Sequence, residues 1–209
     1  MASKSELEYS LSKEDLEKCL PFECPVYHYN QLKDFKNIDD LLKVNGCCIL
    51  FIETMRKRKN FMGHWCCLCR SPSSNNPEET SIVFFDSYGS KVDQVKDYLS
   101  PEYLELSGQL EDVLNKLMAM SGDNLEYNEM KFQKTGKHNF EINTCGRYVV
   151  LKLLSKDLPL TYFQEFLKAK GTPADVKTII LTRGLLSGED DPAEMMEKFN
   201  NYLIELNNY

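Results

Sequence analysis

Three short apolar runs constrain this chain more than any other feature. They are Cys-Cys-Ile-Leu-Phe-Ile at 47–52, a run from His64 to Cys69, and Ile-Val-Phe-Phe after Ser81, ending at Asp86. Each has the length of a β-strand, and turn-like segments separate them. The simplest arrangement is an antiparallel meander. The first connection carries Arg56, Lys57, Arg58 and Lys59 and reads as a solvated hairpin turn. The second, 71–80, is rich in Ser, Asn and Pro and reads as an exposed loop.

Helical patterns surround these runs. Ser-Lys-Glu-Asp at 12–15 has the form of an N-cap with an acidic first turn, so a helix is expected over 12–19. Residues 37–44 read as a second helix, capped by Asn37 and stopped by Asn45-Gly46. Further helices are expected over 92–99, ending at Pro101, and over 110–120, where Leu110, Val113, Leu114, Leu117 and Met118 recur at helical spacing. A fourth strand is expected over 125–132. A buried helix follows over 145–154, then helices over 161–169, 174–186 and 192–206, the last two opened by Pro173 and Pro192. The stretch 21–29, with Pro21 and Pro25, reads as loop or extended chain. The expected fold is α+β, with a mixed or antiparallel central sheet of four to five strands flanked by helices. Residues 1–209 are read as one domain, with a core over 45–155 and C-terminal helices over 156–209.

The composition narrows the function. A formal net charge of -7 argues against a broad nucleic-acid-binding face. No apolar run approaches the roughly 20 residues of a membrane span. The opening residues lack the apolar stretch of a secretory signal, which points to a reducing compartment and free thiols for the 8 cysteines. Cys66-Cys67-x-Cys69 invites a zinc reading. Structural zinc sites, however, use separated pairs, and Cys47-Cys48 is adjacent. Buried thiols within strands are the favoured reading, with no metal and no cofactor.

Three segments place reactive side chains at element ends: Gly63-His64-Trp65 at a strand start, Phe85-Asp86-Ser87-Tyr88-Gly89 at a strand exit, and Asn143-Thr144-Cys145-Gly146-Arg147 at a helix start. In antiparallel neighbours the start of one strand lies beside the end of the next, so His64 and Asp86 are expected at one end of the sheet. An Asp there can orient an imidazole and stabilise its protonated form. A Cys at a helix N-terminus meets unpaired N–H groups and the positive end of the dipole, and both favour thiolate. Singly, each residue has an ordinary structural reading: a strand cap, a turn former and a core thiol. Their combination favours nucleophilic catalysis.

The order His, Asp, Gln, Cys, carried on these segments, resembles the adenain and ubiquitin-like-protease group (clan CE) of cysteine peptidases. Asn143-Thr144-Cys145-Gly146-Arg147-Tyr148-Val149-Val150 looks most like the capsid-maturation proteases of virophages and Polinton-type elements. The resemblance covers roughly residues 45–155. It implies that His64 is the general base, Asp86 its orienting partner and Cys145 the nucleophile. Gln133 is the best match for an oxyanion donor. The family glutamine lies closer to the cysteine, so here the insert 134–144 must loop out for Gln133 to reach the site. Gly146 would line the oxyanion pocket, and Trp65 would pack beneath it. His138, within the insert, reads as a loop residue. The resemblance further implies a monomeric endopeptidase cutting Gly-rich sites of a capsid protein, in the virion or the host-cell cytoplasm. No membrane or nucleic-acid partner is expected. Removal of ubiquitin-like proteins would use the same centre. Acetyl transfer and a zinc-bound interaction module are the remaining alternatives.

Overall fold

A computed structural model describes residues 2–57, 60–97, 99–135 and 142–208. The strands are β1 (Val26–His28), β2 (Cys47–Lys57), β3 (Asn60–Pro72), β4 (Thr80–Phe85) and β5 (Leu125–Tyr127). The helices are α1 (Lys4–Glu8), α2 (Lys13–Lys18), α3 (Ile38–Leu41), α4 (Pro101–Ser107), α5 (Val113–Ser121), α6 (Cys145–Leu154), α7 (Leu160–Lys168), α8 (Ala174–Ser187) and α9 (Pro192–Asn207). The fold is α+β. Its mixed sheet has the order β1-β2-β3-β4-β5, with an antiparallel centre and a parallel strand at each edge.

Burial on both faces explains why the central strands are continuously apolar instead of alternating. Cys47, Ile49, Phe51, Trp65, Cys67, Cys69, Val83 and Phe85 face a core shared with α2, α6, α7, α8 and α9. Cys48, Leu50, Ile52, Cys66, Leu68, Ile82 and Phe84 face the opposite core, with α3, α5 and the 3-10 turn Tyr29–Asp34. Cys66 thus points away from Cys67 and Cys69, so these three thiols cannot converge on one metal ion. Among the described residues no group of three or more His, Cys, Asp or Glu is arranged to hold a metal. None of the described helices is long and apolar enough to cross a membrane.

Several elements differ from expectation. Over 92–99 there is only a 3-10 turn, Gln94–Lys96, preceded by Asp93 at a φ of 64°. Pro101 opens a helix there instead of ending one: Ser100 is the N-cap of α4, and proline fits the first turn because its missing N–H would be unpaired anyway. Helix α5 begins at Val113, leaving Leu110 53% exposed outside it. Strand β5 stops at Tyr127, short of the expected 132, because the Asn128 side chain turns to bond the Asp86 backbone. Within 21–29 the chain forms β1, paired parallel to β2. In the basic hairpin Lys57 pairs with Asn60, while Arg58 and Lys59 lie outside the described residues. The caps at Ser12 and Asn37 form as the sequence suggests.

Candidate active site

The register of β3 and β4 determines where His64 and Asp86 lie. Cys67 pairs with Phe85, and the pairing ends there. Asp86, the next residue, faces the same side of the sheet as Cys66, and His64 lies two residues further along β3 on that side. His64 Nε2 donates to Asp86 Oδ1. The partner strand β2 carries a register shift between Glu53 and Met55, just past the Ile52–His64 pair. Bulges of this kind redirect a strand beside a site.

Asp86 is fully buried and held from several directions. Oδ2 accepts the Ser90 N–H at 2.8 Å and Oδ1 accepts the Tyr88 N–H at 3.3 Å. Asn128 Oδ1 accepts the Asp86 N–H at 3.0 Å, and its amide donates to the Asp86 carbonyl at 2.6 Å. Burial opposes the charge on the carboxylate, but the bonds from His64 and Ser90 outweigh it and lower the pKa. The Tyr88 ring lies 5.1 Å from the imidazole.

Cys145 is the first residue of α6, and its side chain meets His64. Since Nε2 serves Asp86, the Nδ1 edge is left for the sulfur. Burial raises the thiol pKa. The His64 bond and charge, with the N–H groups of Trp65 and Gly146 donating to the sulfur, outweigh that and bring it below 9.0. For His64 burial again disfavours the charged form, yet the bonds to Asp86 and Cys145 push the imidazole up to about 10. Both shifts favour a thiolate–imidazolium pair. Cys19, Cys48, Cys66 and Cys67 are shifted upward instead, chiefly by burial. Cys47 is also lowered, by a bond from Cys24, but it is sealed in the core.

Gln133 reaches the same place. Its Oε1 accepts the Ser87 hydroxyl at 2.7 Å, and Nε2 donates to Tyr88 Oη at 3.0 Å and to the Ile142 carbonyl at 2.7 Å. A cavity of about 460 Å³ is lined by Gln133, His64, Cys145, Tyr88 and Gly63. A second, of about 840 Å³, is lined by Trp65, Phe51, Leu11 and Met62. The two share Gly63 and Asn143, and the first is lined by Cys145 itself. Trp65 packs on Phe51 with ring centres 4.6 Å apart, and its indole donates to the Leu11 carbonyl at 2.9 Å. Gly146 lies against Leu11, where an added Cβ would approach the Leu11 Cβ to 3.0 Å.

The structure thus brings together His64, Asp86, Cys145, Gln133, Gly146 and Trp65. His138 lies outside the described residues. No sequence pattern pointed to the parts played by Asn128, Tyr88 and the N-terminal arm. Asn143 ties that arm down: its N–H donates to the Leu7 carbonyl at 2.8 Å and its side-chain amide to Glu8 at 2.9 Å. A polar residue two positions before Cys145 is the one local signal for this.

Fold and site define an α+β protein with a buried Cys–His–Asp constellation at the end of its sheet. The chain is 36% identical over 176 residues to the "Uncharacterized protein V9" of Sputnik virophage, covering 82% of this chain and 93% of that protein. It belongs to the family of that virophage protein. No family model matches the chain. A solved structure of "the de-sumoylating protease" aligns with 97% of this chain and 74% of its own, at 14% identity and a TM-score of 0.26, below the level at which two folds are equated.

Proposed function

We propose that the protein is a cysteine endopeptidase of virophage-type elements, with Cys145 as nucleophile and His64 as general acid and base. The observation that carries this reading is the Cys145 sulfur at a helix start, in contact with an imidazole steadied by a buried carboxylate. The Cys145 thiolate attacks the substrate carbonyl carbon. The oxyanion is held by N–H groups at the start of α6 and by the Gln133 amide, which exchanges one of its present acceptors for it. His64 protonates the departing amine as the C–N bond breaks. It then takes a proton from water, which attacks the thioester and releases the acid.

Two cavities that meet at Gly63 and Asn143, one of them lined by Cys145, support cleavage within a chain. Close packing at Gly63, where an added Cβ would collide with the Phe51 ring and the Ile52 carbonyl, supports small residues, glycine above all, at the scissile bond. The substrate we infer is a capsid protein, cut during assembly in the virion or the host cytoplasm. The Sputnik virophage relative and the resemblance of 143–150 to capsid-maturation proteases both favour it. The test incubates wild type and Cys145→Ala with the capsid protein of the same element and maps fragments by mass spectrometry. Cleavage at Gly-rich sites, lost in Cys145→Ala, is expected. Cleavage that survives unchanged removes Cys145 from its role. Labelling by a ubiquitin-type probe without capsid cleavage replaces the substrate assignment.

A further inference from the structure

Asp175 lies on α8, far along the chain from the segments that carry the site, and is only 3% exposed. Its Oδ1 accepts the Thr144 hydroxyl at 2.6 Å and the Tyr148 hydroxyl at 3.3 Å. Its Oδ2 accepts the Lys134 backbone N–H at 3.1 Å. Lys134 follows Gln133, and Thr144 precedes Cys145. Both ends of the insert 134–144 therefore meet at one carboxylate.

The Thr144 hydroxyl is the telling partner. Thr144 is the N-cap of α6, a position where a threonine side chain ordinarily accepts from the first N–H groups of its own helix. Here it makes no such bond: the Thr144 backbone is itself helical, at φ -92° and ψ 0°, and its hydroxyl donates to Asp175. The Arg147 and Tyr148 N–H groups bond the Thr144 carbonyl at 2.9 and 3.2 Å, so the position of Thr144 sets where α6 begins. Burying a carboxylate among neutral donors is costly, and an apolar side chain would pack these helices without that cost.

We propose that Asp175 is a positioning residue: it clamps the Gln133 segment to Thr144 at the start of α6, so that the Gln133 amide and the N–H groups there converge on one acyl oxygen. This rests on the assignment of Cys145 as nucleophile. Asp175→Ala is expected to lower kcat on the order of 10- to 100-fold, with KM changed less than about threefold, as for loss of oxyanion donors. Alkylation of Cys145 by iodoacetamide needs the thiolate but no oxyanion pocket, and should stay within about threefold of wild type. Asp175→Asn can still accept from Lys134 and donate to Thr144, and should restore most of kcat. If Asp175→Ala does not fold, Thr144→Val, which removes one of the bonds, should show the same split in smaller measure. Unchanged kcat in a folded variant, or kcat and alkylation falling together, overturns the proposal. Amide exchange decides independently of turnover. Residues 133–135 and 144–147 should exchange faster in Asp175→Ala while the sheet does not. A uniform change, or none, refutes the clamp. A wild type without Cys145-dependent turnover, yet with that local pattern, defeats the catalytic assignment and leaves the clamp standing.

Discussion

Asn128 takes no chemical part at the site, yet it fixes the segment that carries the carboxylate. Its buried side chain pairs with both the N–H and the carbonyl of Asp86 and adds a part-buried bond to the Met130 carbonyl at 3.2 Å. Asn128→Ala would strand two buried backbone groups, and a loss of about 2–4 kcal/mol in urea denaturation is expected. A loss under about 0.5 kcal/mol would show that Asp86 is held by other means. At this scale the sequence was most informative where a reactive side chain ended an apolar run, as at His64, Asp86 and Cys145. Asn128 was illegible because an Asn after a short strand equally reads as a turn former. Its work depends on a partner 42 positions away. Asp175 was illegible for the same reason: an acidic residue in the first turn of a helix is ordinary.

The elements that could be read were those whose signal is local. The runs at 47–52 and 81–86 show strands because covering both faces of the sheet keeps them apolar throughout. The caps at Ser12 and Asn37 act on N–H groups three residues ahead. The edge strands β1 and β5 have three residues each, too few for a periodic pattern, and their parallel pairing is set by contacts distant in sequence. Pro101 was ambiguous because proline both stops a helix and starts one. Ser100, whose hydroxyl accepts the Tyr103 N–H at 3.2 Å, decides for the start. Leu110 matched the helical spacing of α5, but Glu111 and Asp112 lie outside the helix and separate Leu110 from its start.

Across the whole molecule, the C-terminal helices pack on the core that contains Cys145 and Trp65. Phe85, the residue before Asp86, lies 5.3 Å ring to ring from Phe163 of α7, and Phe163 lies 6.3 Å from Phe199 of α9. Phe163 is 1% exposed. We expect one cooperative unfolding transition for the chain. Phe163→Ala should cost about 3–5 kcal/mol and shift that transition as a whole. A separate early transition confined to α7 and α9, with the sheet unaffected, would show that these helices form a unit of their own.

The central claim is that His64 holds the Cys145 sulfur as a thiolate, and the pH dependence of Cys145 alkylation tests it most directly. The rate at Cys145 alone is followed by peptide mapping across pH in wild type and in His64→Ala. In wild type the reactive form should persist below the ordinary thiol value of 9.0, since His64 and two backbone N–H groups lower the pKa. In His64→Ala burial remains without its main counterweight, so the midpoint should move upward. Equal midpoints in the two proteins, or a Cys145 no more reactive than Cys66 and Cys67, would contradict the claim.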